Sequence, residues 1–173
     1  MKNTIFFVFF SFFFIACSSN QQEKVITTDA ISFEGVNIDV NYNVFNENLK
    51  KNGYEKVNLP SEVRDLLDYD VFYGNVANNE ATINVYQDSI SQKVKYIKSL
   101  ILCNSEEESL VKLNNVINYF KERYPNAQYS EQEDDGIKYR FFTSPILVTV
   151  SEPNMNGNQY VIHIDYDNMG LYE

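Results

Sequence analysis

The chain has 173 residues, of which 14 are Lys or Arg and 24 are Asp or Glu, so its formal net charge is −10. Proteins that bind nucleic acid neutralise phosphates with clustered Lys and Arg, and the acidic balance therefore argues against a nucleic-acid partner. It also argues against attachment to anionic lipid through surface charge. The length fits a single domain that buries a sizeable hydrophobic core.

The N-terminus has the features of a secretory signal. Lys2 provides a positive charge, and residues 4–15 form an apolar segment that contains seven of the 13 Phe residues. This segment is shorter than the ~20 apolar residues of a membrane-spanning helix. Its end, Phe14-Ile15-Ala16-Cys17, resembles the lipobox of bacterial lipoproteins, with Phe14 at the place where Leu is usual.

This resemblance implies that a peptidase removes residues 1–16 and that Cys17 carries the lipid that attaches the protein to a membrane. A Cys with several acyl chains is a firm anchor. In some families an Asp directly after the lipidated Cys retains the lipoprotein in the inner membrane. Ser18 occupies that position here, which favours the outer membrane as the destination. Residues 17–28 are then the lipidated Cys and a polar, flexible tether, and residues 29–173 form one α+β domain. The alternatives are an ordinary secretory signal with a chance Cys and a buried apolar strand.

Lipidation of Cys17 would leave Cys103 without an intrachain disulfide partner, since the chain has two Cys. Cys103 follows Leu100-Ile101-Leu102 and is predicted to pack as a small apolar side chain. With one His in the sequence, a His/Cys zinc site within a single chain is not expected. We predict no cofactor and no metal.

Two amphipathic helices are predicted. The first covers about residues 42–52, with Asn41 as its N-cap and Gly53 after its end. The second follows the capping box Ser105-Glu106-Glu107-Glu108 and ends at Tyr124-Pro125. The expected buried stripes are Tyr42, Phe45 and Leu49 in the first helix, and Leu110, Leu113, Val116, Ile117 and Phe120 in the second.

Segments of alternating or β-branched residues between turn signals predict strands. They are residues 31–36, 54–59, 71–76, 81–87, 94–102, 127–131, 136–143, 145–152 and 159–166. Residues 61–67 are ambiguous and fit one helical turn. Within the fifth segment, Val94, Tyr96, Leu100 and Leu102 are expected to share an apolar face that Lys98 interrupts. In the last segment Tyr160, Ile162, Ile164 and Tyr166 are expected to face one way, and Val161, His163 and Asp165 the other.

The order of these elements is a helix, several strands, a second helix and several more strands. Runs of strands without intervening helices predict antiparallel pairing, with the two amphipathic helices on one face of the sheet. The predicted class is therefore α+β with one or more antiparallel sheets. A duplicated helix-plus-sheet module also fits this order, although no repeat is visible at the level of residues.

The segment Phe33–Asp39, followed by Phe45, Leu49 and Lys51-Asn52-Gly53-Tyr54, resembles the opening of small uncharacterised lipoproteins of Bacteroidota. Val36-Asn37 stands here where those proteins have Ile-Pro. The resemblance covers most of the chain after the predicted signal. The order of elements is also similar to β-lactamase-inhibitor-like and PepSY-type modules, and this similarity implies a binding or inhibitory fold that is not an enzyme.

His163 and Asp165 are the candidate catalytic pair, because an imidazole and a carboxylate on one strand face can act together in a small hydrolase. Such a pair also needs a nucleophile or a metal, and the sequence offers no Ser motif and no second His. The common signatures of nucleotide-binding proteins, metalloproteases and serine hydrolases do not occur in it. These observations favour a protein that is not an enzyme.

Tyrosine is abundant, with 13 Tyr and no Trp. Rings on a sheet face suit contact with a protein or peptide, and packing in the core and its rim is the alternative. The chain is therefore predicted to be a lipid-anchored cell-envelope protein that acts as a non-catalytic binding or accessory module. A periplasmic ligand or ion carrier is a further alternative, which predicts an enclosed apolar pocket or convergent carboxylates. The Tyr residues on or beside predicted strands are Tyr69, Tyr73, Tyr86, Tyr96, Tyr139 and Tyr160.

Overall fold

The computed structural model describes residues 31–64, 66–133 and 136–172. Within them, the predicted α+β class with an antiparallel sheet is confirmed. The predicted signal at residues 1–16, the lipidation site Cys17 and the tether up to residue 28 lie outside the described residues. The helices are α1 (Tyr42–Lys51), α2 (Ser61–Arg64) and α3 (Glu106–Arg123). The strands are β1 (Glu55–Lys56), β2 (Tyr69–Val76), β3 (Asn79–Gln87), β4 (Val94–Cys103), β5 (Gln128–Glu133), β6 (Ile137–Thr143), β7 (Ile146–Asn156) and β8 (Gln159–Asn168).

All eight strands form one antiparallel sheet in the order β1-β2-β3-β4-β8-β7-β6-β5. Each half of the chain contributes a long helix followed by four strands, with the short α2 between β1 and β2 in the first half. In each half the first strand lies at an edge of the sheet. The last strands of the halves, β4 and β8, pair with each other at the centre. The sheet is therefore symmetric in its topology about the β4–β8 seam, and the helix-plus-sheet module occurs twice.

The hydrophobic core lies between the helices and one face of this sheet. Cross-strand partners on that face run through β2, β3, β4, β8 and β7 as Phe72, Ile83, Ser99, Ile164 and Val150, and all five side chains are buried. The buried apolar side chains of α1 and α3 belong to the same cluster. Both amphipathic helices thus cover one side of the sheet, because two-residue periodicity gives each strand only one apolar face.

Local chemistry determines where α1 begins and ends. The Asn41 side chain accepts a hydrogen bond from the Asn43 amide, which caps the N-terminus. Gly53 adopts a φ of 87° and donates to the Lys50 carbonyl, while the Tyr54 amide donates to the Leu49 carbonyl. This is the Schellman arrangement, in which glycine takes the left-handed conformation at low cost.

The predicted capping box of α3 is present in a shifted form. The Ser105 hydroxyl accepts from the Glu108 amide at 3.1 Å, and the Glu108 carboxylate accepts from the amide of Asn104, one residue before the cap. Leu110 was expected in the buried stripe but is 44% exposed, whereas Ser109 is buried. No helix within the described residues is both long and apolar enough to cross a membrane.

The segment before α1 is a tight turn, and the strand predicted for residues 31–36 is wrong. Phe33 and Val36 exchange backbone hydrogen bonds of 2.9 and 2.8 Å around Glu34 and Gly35, whose φ angles are 47° and 89°. The Glu34 carboxylate accepts from the Ala77 amide at 3.1 Å and from the Tyr119 hydroxyl at 2.5 Å. This carboxylate therefore joins the turn to the β2–β3 hairpin and to α3.

Strand β4 corrects the predicted assignment of its faces. Ile97, Ser99, Ile101 and Cys103 point to the helices and are buried. Tyr96, Leu100 and Leu102 do share a face, but it is the opposite one, and Val94 does not belong to it. The register against β3 shifts between Tyr86 and Gln87, and this irregularity explains why Val94 and Ile97 are both buried. Lys98 is therefore a normal outward-facing residue.

Candidate binding face

The side of the sheet opposite α1 and α3 is called here the open face. Its residues follow from the strand register, and they form three rows that cross the sheet. The first row contains Tyr69, Tyr86, Tyr96, Asp167, Leu147 and Phe142. The second contains Val71, Asn84, Lys98, Asp165, Thr149 and Arg140. The third contains Tyr73, Thr82, Leu100, His163, Ser151 and Lys138.

The first row is aromatic at one end. The rings of Tyr69 and Tyr86 have centroids 4.7 Å apart, and those of Tyr86 and Tyr96 are 5.3 Å apart. Burial and the neighbouring Asp165 carboxylate raise the pKa of Tyr96 well above its ordinary value, so its hydroxyl stays protonated. The three rings form a continuous surface with polar tips, which is the side-chain type enriched at protein interfaces.

The second row carries the charged side chains of Lys98, Asp165 and Arg140. The Arg140 Nε and one Asp165 carboxylate oxygen are buried and have no hydrogen-bond partner among the described residues. Burial and the charge of Asp165 raise the pKa of Asp167, two residues along the same strand. Buried polar atoms are nearly always satisfied in folded proteins, so these two atoms are exceptions within the described residues.

The candidate pair His163 and Asp165 does lie on one strand face, as the alternation predicted. Ser151 is the direct cross-strand partner of His163 on β7. Burial and the positive charge of Lys98 lower the pKa of His163, so its imidazole is neutral at pH 7. Among the described residues, however, no hydrogen bond joins His163 to Ser151 or to Asp165. The three side chains share a face without the contacts that a catalytic dyad uses.

The six predicted tyrosines divide between the two faces. Tyr69, Tyr73, Tyr86 and Tyr96 lie on the open face. Tyr139 and Tyr160 instead pack against the core on the helix side, so their assignment to a binding face is wrong.

A groove lies at the end of the open face where β3 and β4 separate. It has a volume of about 630 Å³ and is open to solvent. Residues of β1 to β4 line it together with Asn104, Glu108 and Lys112 near the start of α3. Neither His163 nor Asp165 contributes to its lining. Cys103, near this end of β4, is buried among core residues as predicted, and burial raises the pKa of its thiol.

The ligand or ion carrier alternative predicts convergent carboxylates or an enclosed apolar pocket. Within the described residues no three His, Cys, Asp or Glu side chains converge as metal ligands would, and the groove described above is open to solvent.

Comparisons of the chain with models of protein families, with curated proteins and with solved structures found no match. The resemblance to Bacteroidota lipoproteins and to inhibitor-like modules therefore stays a prediction. The interpretation of the site depends on the geometry of the open face alone.

Proposed function

We propose that this chain is a lipid-anchored cell-envelope protein that binds a protein or peptide partner through the open face of its sheet and performs no catalysis. The observation that carries the proposal is an eight-stranded sheet with its apolar helices on one side only. A sheet face that serves only as a solvated exterior is usually covered with alternating polar residues. This face adds to its polar residues a row of tyrosines whose rings contact one another.

The membrane attachment belongs to the same proposal and rests on the sequence from Lys2 to Cys17. A lipid on Cys17 would confine the domain to the membrane surface, and a polar tether of about ten residues reaches roughly 20 Å as a random coil. The domain would then meet partners in a thin layer, where modest affinity suffices because the local concentration is high.

Site-specific photocrosslinking in the native cell tests the proposed interface. A benzoylphenylalanine is placed at Tyr73 or Leu102 on the open face, which are 53% and 48% exposed. Matched controls carry it at Val44 on α1 or Val111 on α3, which are 50% and 57% exposed. We expect one dominant envelope protein to be crosslinked from both open-face positions and from neither control. Equal crosslinking from the helix side, or none from the open face, would refute the proposal.

The hydrolase alternative has one observation in its favour, which is Ser151 directly opposite His163. If these residues act together, a fluorophosphonate probe should label the protein at Ser151, and the change His163→Gln should abolish the labelling. Absence of labelling on the folded full chain would leave the binding function as the better account.

A further inference from the structure

The open face contains a split between two neighbouring strands. The pairing of β3 with β4 ends at Thr82 and Leu100. Beyond that pair, residues 79–81 continue to pair with β2 and residues 101–103 continue to pair with β8, but they do not pair with each other. The two strands therefore present backbone groups toward the split that have no ladder partner, which is the condition under which an added strand binds.

The groove described above follows this split. Its walls include Thr82 on one side and Leu100 on the other. The Lys112 ammonium group donates to the Leu102 carbonyl at 3.3 Å, so one backbone acceptor beside the split is contacted by a side chain from α3. Tyr73 and Leu102 supply apolar surface in the groove, and roughly half of each side chain is accessible.

The charge of the groove is negative. Glu55, Glu80 and Glu108 line it together with a single basic residue, Lys112. Lys112 is already paired with Glu108 at 2.8 Å. Within the described residues Glu55 and Glu80 form no salt bridge, so both carboxylates are available to a cation. The net charge of −10 for the whole chain favours the approach of a basic partner over longer distances.

From these contacts we infer that the groove binds an extended peptide segment of the partner that carries a Lys or Arg beside an apolar residue. The inference rests on the proposed binding function and specifies the chemistry of the partner. The segment's backbone pairs with the separated ends of β3 and β4, and its apolar side chain packs on Tyr73 and Leu102. Its cationic side chain lies between the carboxylates of Glu55 and Glu80. The alternation of side chains along a strand allows the backbone and the side chains to act together.

A peptide titration tests this inference on the full chain purified in a non-ionic detergent. The probes are three fluorescein-labelled pentapeptides with acetylated and amidated ends, Ala-Leu-Arg-Leu-Ala and its versions with central Gln or Glu, followed by fluorescence anisotropy. We expect the Arg peptide to bind about tenfold more tightly than the Gln peptide, because it pairs with two carboxylates. Raising the salt concentration should reduce this difference.

Charge-matched variants locate the site. The double change Glu55→Gln and Glu80→Gln removes both available carboxylates from exposed positions, so it should leave the fold intact and weaken binding of the Arg peptide about tenfold. The control, Glu106→Gln with Glu107→Gln, changes the net charge equally on the exposed start of α3 and should weaken binding less than twofold.

Three outcomes would overturn the inference. They are equal affinities for the three peptides, equal loss of affinity in both double variants, and displacement of the Arg peptide by spermidine at the affinity of the peptide itself. The last would show a site for any amine. If crosslinking from Tyr73 and Leu102 persists while the groove variants have no effect, the proposed function stands and the recognition of a basic peptide alone is wrong.

Discussion

Glu34 connects the N-terminal turn to two distant parts of the domain, so its removal gives a quantitative test of how that turn is held. In the change Glu34→Ala, the Ala77 amide loses its acceptor, and Ala77 is 2% exposed. A buried donor left unsatisfied costs ~1–3 kcal/mol. Loss of the acceptor for the Tyr119 hydroxyl adds ~1 kcal/mol. We expect the free energy of unfolding to fall by ~2–4 kcal/mol.

The left-handed backbone at this position does not contribute to the difference, because Glu34 has a φ of 47° and Ala would bear a similar strain there. Unfolding of residues 29–173 in urea, followed by circular dichroism, measures the change by linear extrapolation. Glu34→Gln keeps an oxygen acceptor for the Ala77 amide and should cost less than half as much. Tyr119→Phe tests the second contact alone. A loss below ~0.5 kcal/mol for Glu34→Ala would refute the reasoning.

Three further changes test other parts of the molecule. Cys17→Ser should abolish labelling with an alkyne fatty acid and release the protein from the membrane fraction, and retained labelling would contradict the predicted anchor. In Gly74→Ala the new Cβ would overlap the Tyr54 ring, so the free energy of unfolding should fall by ~1–3 kcal/mol and the melting temperature should drop with it. The control Gly157→Ala places its Cβ in open space and therefore tests backbone strain alone. Burial and the charge of Lys98 lower the pKa of His163 in the folded protein below its usual 6.5. The unfolded chain therefore binds this proton more readily, and the free energy of unfolding decreases as the pH falls below 6.5. Titration of stability from pH 8 to pH 5 should show this decline, and His163→Gln should reduce it.

The ends of both long helices could be predicted from the sequence because their causes are local. Asn41 and Ser105 cap amides two or three residues away, and Gly53 supplies the left-handed residue after α1. Eight of the nine predicted strands are present at approximately the predicted positions. Strands are predicted from alternating polarity and from turn residues, and both patterns extend over only a few residues of the chain.

The sequence by itself therefore determined the α+β class, the helix caps and the alternation of β8, in which Ile162 and Ile164 face the core and His163 faces away. Only the tertiary structure decided how the halves join, since the central pairing of β4 with β8 connects residues about 60 positions apart in the chain. The face of β4 was decided in the same way, because Tyr96 and Leu100 have the composition of a core strand and their pairing with Tyr86 and Thr82 places both on the open face. The cross-strand row of Lys98, Asp165 and Arg140 and the split beside Leu102 depend on neighbours that no local pattern specifies.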